Sequence, residues 1–359
     1  MENYLEKVAF KVGSFAPDFV YVDGFSGPWK SEDETGEDTS FMIAIQKLRR
    51  VREGLAAIKK HPRIRCIFIE KDPEAFAALA KAVEQVKDME VVLLPGEFEA
   101  RIPDILRAIG KSFSLVFIDP TGWTGFGLKQ ITPLIQHQPG EVIINFMFDH
   151  INRFLDGDRA DLATAFTALF GGAGWVGLAE RENREAAILE FYMAQMRLFG
   201  SFSYVTSTRI LKPLSDRTYF HLVYGTRHPD GIIVFRGVEK SMIAQQERLR
   251  PEAQQVDRVT RTRQPELFGG VEMGAPSPFE KDRALALKAA RAGLDAMIDA
   301  DPRLPYKQIL VRLLLAPLVW ESDIKGMIKE MREKGALKIT GLEGRAWVPK
   351  PDSYLIRHP

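Results

Sequence analysis

Acidic residues close four apolar runs in this chain: Asp23 after Phe19-Val20-Tyr21-Val22, Glu70 after the run from Ile64, Glu97 shortly after Val91-Val92-Leu93-Leu94, and Asp119 after Ser114-Leu115-Val116-Phe117-Ile118. Short apolar runs rich in β-branched and aromatic residues read as buried strands. An acid at the end of such a strand can accept the hydroxyls of a sugar or balance a cation, and open α/β sheets hold ligands at the carboxyl ends of their strands. Asp23 opens the corner Asp23-Gly24-Phe25-Ser26-Gly27-Pro28, whose two glycines allow backbone to approach a ligand closely. Taken alone, the corner could equally be an ordinary strand-to-turn junction.

The loop chemistry narrows the ligand. A dinucleotide requires G-x-G-x-x-G leading directly into a helix, so that pyrophosphate rests on the helix N-terminus. Here Gly27 precedes Pro28, Trp29 and the acidic run Ser31-Glu32-Asp33-Glu34-Thr35-Gly36-Glu37-Asp38, which repels phosphate. S-adenosylmethionine carries a sulfonium and an ammonium instead, and Asp23, Glu97 and Asp119 offer the complementary charge. Glu70 suits the ribose hydroxyls, because capping of the next helix falls more naturally to Asp72, just before Pro73. Asp119-Pro120-Thr121-Gly122-Trp123 is the candidate reaction tip: Asp119 and the Pro120 carbonyl could hold the N–H groups of an exocyclic amine while Trp123 stacks a planar substrate. The plainer reading makes Asp-Pro a turn opener and Trp123 a lid over the core. Asn145, ending a fifth strand, is a weaker candidate for the same cleft.

The elements that must position these residues follow from periodicity. Strands at 64–70, 91–94, 114–118 and 141–146 alternate with helical patterns, the signature of a doubly wound, mostly parallel sheet covered on both faces. A helical insertion is expected over about 151–200, then a C-terminal antiparallel hairpin from Ser203–Leu211 and Arg217–Thr226, and a helix over 232–247. From 250 to 281 the composition turns to Gln, Arg, Thr, Pro and Gly, which reads as a linker. Beyond it, helices at 282–298, 304–315 and 321–334, with strands at 336–340 and 345–349, describe a winged-helix domain. The expected division is therefore a first domain over 1–249, a linker over 250–281 and a winged-helix domain over 282–359.

Composition sets outer bounds. The chain has 359 residues, 49 basic and 48 acidic, with a formal net charge of +1, so no global field draws it to nucleic acid or membrane. Lys325, Lys329, Arg332, Lys334, Lys338 and Arg345 form a modest basic face in the C-terminal region, which serves nucleic-acid binding, protein docking or plain solvation equally. One cysteine, Cys66, sits in an apolar run and excludes an internal disulfide framework, which favours the cytoplasm. No run approaches the roughly 20 residues of a membrane span, and no signal peptide is visible at the start. The six histidines lack metal-ligand spacing, so no metal is expected.

Several of these stretches, taken together, resemble one family. Tyr21 to Pro28, Phe68-Ile69-Glu70-Lys71-Asp72, Phe117-Ile118-Asp119-Pro120-Thr121-Gly122, Val142-Ile143-Ile144-Asn145-Phe146 and Val223 to Gly231 are similar, in order, to the three-Cys-motif partner proteins, TcmP. The resemblance covers about the first 240 residues, and the C-terminal region resembles the winged helix that accompanies them. It implies a class I methyltransferase-like fold, S-adenosylmethionine as cofactor, and a separate partner bearing a three-cysteine motif of radical-enzyme type. It implies Asp23, Gly24 and Gly27 as the methionine-side loop, Glu70 as the ribose acid, Glu97 near the adenine and Asp119 with Pro120 at the substrate-side tip; the full candidate cofactor-binding set is Asp23, Gly24, Phe25, Ser26, Gly27, Glu70, Lys71, Glu97 and Asp119, and the candidate catalytic set Asp119, Pro120 and Trp123. The expected function is methyl transfer to a nucleic acid or nucleotide-like acceptor. The alternatives are a non-catalytic scaffold subunit and a winged-helix nucleic-acid-binding protein.

Overall fold

The computed structural model describes residues 1–27, 39–155, 160–262, 277–342 and 348–357. Pro28, Trp29, the acidic run 31–38, residues 263–276 of the expected linker, Arg345 and His358 lie outside them. Contacts divide the chain into two units, Met1–Ile210 with Thr218–His228, and Leu211–Arg217 with Pro229–Pro359.

The first unit holds α1 (Glu2–Gly13), β1 (Asp18–Asp23), α2 (Ser40–Ala57), β2 (Arg63–Glu70), α3 (Pro73–Val83), β3 (Glu90–Pro95), α4 (Phe98–Ile109), β4 (Phe113–Ile118), α5 (Leu128–Ile135), β5 (Gly140–Phe146), α6 (Phe148–Phe154), α7 (Ala160–Leu169), α8 (Arg184–Gly200), β6 (Tyr204–Leu211) and β7 (Thr218–Thr226). The strands form one seven-stranded sheet in the order β3-β2-β1-β4-β5-β7-β6. β1 to β5 pair in parallel, whereas β7 runs antiparallel to β5, with Phe146 opposite His221. The fold is thus mixed α/β with a mostly parallel sheet, as the unbroken apolar runs require: every residue of β1 after Asp18 is buried. Alternate residues of β1 serve opposite faces. Val20 and Val22 pack with Ile67, Ile69, Ile105 and Ile131 in the core that includes α4 and α5. On the other face, Tyr21 and Phe41 both lie edge-on to Phe68, with ring centroids 6.3 and 5.9 Å away. Asp72 caps α3 as its sequence position suggests, accepting the Ala75 N–H at 2.8 Å ahead of Pro73.

The second unit holds α9 (Pro229–Thr262), α10 (Pro278–Ala300), β8 (Arg303–Pro305), α11 (Tyr306–Leu314), α12 (Glu321–Glu333), β9 (Leu337–Ile339) and β10 (Tyr354–Arg357). Its strands form an antiparallel sheet in the order β8-β10-β9. Three expectations need correction here. The boundary placed at 249/250 falls inside α9, which continues through Pro251 and groups from Pro229 onward with the second unit. Polar composition suggested a linker, but Arg250 anchors this stretch by donating to the carbonyls of Lys212 and Ser215 and to Asp216. Within the expected linker Pro278 starts a helix: Ser277 and Glu280 form a reciprocal capping box around it, so α10 begins before residue 282. The last strand is Tyr354–Arg357. Val348 and Pro349 are outside any strand, because prolines at 349 and 351 supply no ladder N–H.

Candidate functional site at the carboxyl edge of the sheet

β1 stands between β2 and β4, so the crossovers on its two sides run in opposite directions and leave a crevice beyond its carboxyl end. The corner after β1 is laced into both neighbours. Gly24 N–H donates to the Phe117 carbonyl of β4 at 2.9 Å, and Ser26 N–H donates to the Ile69 carbonyl of β2 at 2.9 Å. Gly27 passes so close to β2 that a Cβ there would lie 2.4 Å from Glu70 Oε2, and a Cβ on Gly24 would lie 2.9 Å from the Phe98 ring. A side chain at Gly24 or Gly27 would therefore displace the Phe98 ring or the Glu70 carboxylate.

A cleft of about 190 Å³ opens above this corner. Six of the expected binding residues line it: Gly24, Phe25, Gly27, Glu70, Lys71 and Glu97. Ile69, Gly96, Phe98 and Thr121 line it too, and the reading of the strand ends passed over them. Gly96, at a φ of +119°, and Phe98, which opens α4, flank Glu97, so the end of the third strand carried a signal that attention to acids alone missed. Phe25 and Phe98 meet at 5.4 Å between centroids and wall one side of the cleft.

Glu70 is held in place. Its Oε1 accepts the Asp72 N–H at 2.7 Å, which leaves Oε2 turned toward Gly27. Lys71, which lines the cleft, sits 3.7 Å from Glu97 in an exposed pair worth little by itself. The two carboxylates Glu70 and Glu97 and the phenyl rings of Phe25 and Phe98 suit a ligand with hydroxyls and an apolar ring.

Asp23, Ser26, Asp119, Pro120 and Trp123 do not line the cleft. Asp23 and Ser26 lie beneath the corner and brace it: the Asp23 carboxylate accepts the Phe25 N–H at 3.1 Å, and the Ser26 hydroxyl donates to the Asp23 carbonyl at 2.9 Å. Asp23 is only 2% exposed. Burial pushes its carboxyl up to about 7, the Phe25 N–H opposes that rise, and the negative charges of Asp119 and Glu70 add to it. An acid whose folded value stands above its unfolded value of about 4 stabilises the fold fully at low pH and loses that contribution as pH rises toward 7. Asp23→Asn should therefore lose less stability than the wild type between pH 5 and 8, by about 3 kcal/mol. Urea unfolding at the two pH values checks this, and equal losses in both proteins would refute it.

Asp119 receives the Asn145 amide at 2.5 Å, which joins the ends of β4 and β5. Burial raises the Asp119 carboxyl above its usual range, with the Asn145 bond acting against it. Trp123, in the loop after β4, is half-buried. Its indole stacks on Phe166 with centroids 4.3 Å apart, and Pro120 is buried, so this stretch packs the loop after β4 onto α7. The Gly127 N–H donates to Glu99 at 2.6 Å and ties the same loop to α4.

Among the described residues no group of three or more His, Cys, Asp or Glu could hold a metal ion, and no single described helix is long and apolar enough to cross a membrane. In the second unit three lysines on or just after α12 pair along the chain: Lys325 with Glu321, Lys329 with Glu333, and Lys334 with Glu330.

No family model matches the chain, and neither does a curated protein. Among solved structures, protein LPL1258 from Legionella pneumophila is 12% identical at a TM-score of 0.36, over 65% of this chain and 89% of its own. An O-methyltransferase from Bacillus cereus in complex with SAH is 12% identical at 0.33, over 63% and 80%. The O-methyltransferase TomG from Streptomyces achromogenes in complex with SAM is 13% identical at 0.35, over 63% and 79%.

Proposed function

We propose that the first unit binds S-adenosylmethionine and transfers its methyl group. The observation that carries this reading is the closure of the glycine corner on a fixed acid, with Gly27 against Glu70 Oε2 at the topological switch of the sheet. The residues present suit the group. Glu70 would take the ribose hydroxyls, Phe25, Ile69 and Phe98 would enclose the adenine, and Gly24 and Gly27 would admit the methionyl end. When bound, the cofactor supplies an electrophilic methyl on sulfur. The chain supplies the cleft and the Asp119-Asn145 pair at the neighbouring strand ends, where an acceptor's N–H groups could be held.

The acceptor proposed is a nucleic acid or nucleotide-like molecule bearing an exocyclic amine. Trp123 packs one indole face on Phe166, and Asp119 and Asn145 support the acceptor reading at the neighbouring strand ends. The proposal extends to a three-Cys-motif partner, supported by the ordered sequence motifs. For the second unit we read a winged helix, supported by its order of helix, strand, two helices and two further strands.

Calorimetric titration with S-adenosylhomocysteine tests the cofactor reading. The wild type should bind, and Glu70→Ala should bind at least about tenfold more weakly, a loss of roughly 1.4 kcal/mol. Equal affinity in the two proteins would overturn the assignment of Glu70.

A further inference from the structure

In the second unit a cavity of about 440 Å³ opens between α10 and α11, beside β8. Pockets of about 300–1,000 Å³ are of the size that holds small molecules. Met297, Leu304, Ile309 and Leu313 give this one an apolar lining, and the α10 side carries only Gly293, Ala296 and Ala300 along the open trough. Its two ends differ in charge. At the turn from α10 to β8 stands Asp301, exposed, with Oδ1 accepting the Arg303 N–H at 2.9 Å. At the other end Gly293 faces Leu313, whose Cδ2 would lie 3.4 Å from a Cβ there, and Arg312 stands beside Leu313. Gln308 and Arg312, four residues apart on one face of α11, are exposed and line the cavity. Neither side chain has a hydrogen bond or ion pair among the described residues. The cations around them are engaged: Arg291 with Glu330 at 3.0 Å, Lys307 with Asp230 at 2.7 Å and Arg357 with Asp299 at 2.6 Å. The trough therefore offers an apolar length with an unmatched positive charge at one end.

We propose that this trough binds an unbranched monocarboxylic acid, with its carboxylate on Arg312 and Gln308 and its chain running along the apolar lining toward Asp301. The site is independent of the adenosyl reading, since every lining residue belongs to the second unit. A guanidinium with no acid of its own takes a carboxylate through two parallel N–H bonds, and the Gln308 amide adds a donor one turn away. From Gly293 to Ala300 the α10 wall runs two turns, about 10 Å, which an extended octanoate matches. Asp301 sets the selectivity. A methyl terminus ends beside it at no electrostatic cost, whereas a second carboxylate meets its negative charge.

Calorimetric titration of the full chain at neutral pH with butanoate, hexanoate and octanoate tests the site. Affinity should rise about tenfold for each pair of methylenes, as apolar burial requires. Suberate, the same chain as octanoate with a carboxylate at both ends, should bind at least about tenfold more weakly. Arg312→Gln should weaken octanoate about fivefold, the upper end for an exposed pair. Asp301→Asn should narrow the gap between octanoate and suberate. Ala296→Leu should abolish binding by filling the trough, and because position 296 is an exposed helical one where leucine is well tolerated, its melting temperature should match that of the wild type. No binding of octanoate, equal binding of octanoate and suberate, or octanoate affinity unchanged in both Arg312→Gln and Ala296→Leu would each overturn the proposal. The wild-type comparison of octanoate with suberate decides the matter even if a variant fails to fold. Sedimentation of the ligand-free chain completes the test: self-association that Ala296→Leu abolishes would put a second copy in the trough and overturn the proposal.

Discussion

Gly27→Ala is expected to weaken S-adenosylhomocysteine binding at least about tenfold while shifting the melting temperature little. A methyl group at this position would sit 2.4 Å from Glu70 Oε2 and 3.3 Å from its Cδ. Real Cβ atoms do not approach this closely, so the loop or the acid must move. Glu70 is the easier to displace, since the clash is with the end of a side chain, and its only fixed bond is the one from the Asp72 N–H. Swinging the carboxylate away forfeits about 1 kcal/mol of hydrogen bonding, a small part of the stability of a domain this size. It also removes the acid from the position proposed for the ribose. The effect should therefore fall on binding. The double variant Gly27→Ala, Glu70→Ala should bind no worse than Glu70→Ala alone, because both changes remove the same interaction. Additive losses measured calorimetrically would mean that Gly27 serves the ligand independently of Glu70, and undiminished binding in Gly27→Ala would exclude this corner from the site.

The largest expected stability effect lies in the second unit. Arg236 and Glu239, one turn apart on α9, are both 1% exposed and pair at 2.6 Å. Arg236 also donates to the Leu314 and Leu315 carbonyls at 2.8 and 3.2 Å, while Glu239 accepts the Trp320 indole N–H at 3.3 Å. Burial already holds the Arg236 guanidinium below its usual range, with Glu239 acting in the opposite direction. Glu239→Ala would leave a buried cation without its counter-charge, and removal of one partner from such a pair costs about 3–5 kcal/mol. Chemical denaturation of the full chain, with hydrogen exchange read over α9 and α11, should show a destabilisation of that size confined to the second unit. The double change Arg236→Met, Glu239→Leu should recover most of the loss, since apolar replacements of similar volume remove both desolvation costs. A loss below about 1 kcal/mol in Glu239→Ala would show that water reaches the guanidinium.

The parts of the site readable along the chain were those set by local chemistry. Asp72-Pro73 gave the cap and first turn of α3, which left Glu70 available for another role, and the structure holds Glu70 at the cleft through that same turn. Gly24 and Gly27 signalled close approach, and what they approach is Phe98 and Glu70. Trp123 was less legible, because an aromatic residue after Asp-Pro suits a substrate platform and a core plug equally. Only the arrival of Phe166 from α7 settles its packing. The stretch from Arg250 to Thr262 misled for a related reason: its polarity follows from solvent on most sides, and its anchor is Arg250 reaching back to 212–216.

The sequence by itself determined the alternation of strands and helices, the buried character of the central strands, and the placing of Asp23, Glu70, Glu97 and Asp119 at strand ends. These are consequences of periodicity, propensity and turn chemistry within a few residues. The tertiary structure decided the order β3-β2-β1-β4-β5-β7-β6, the antiparallel entry of β7 beside β5, and the division of the acids between cleft and interior. Glu70 and Glu97 line the cleft, whereas Asp23 is enclosed beneath it. That distinction depends on which backbone passes over which carboxylate, and so on pairings between residues far apart in the chain that no local pattern encodes.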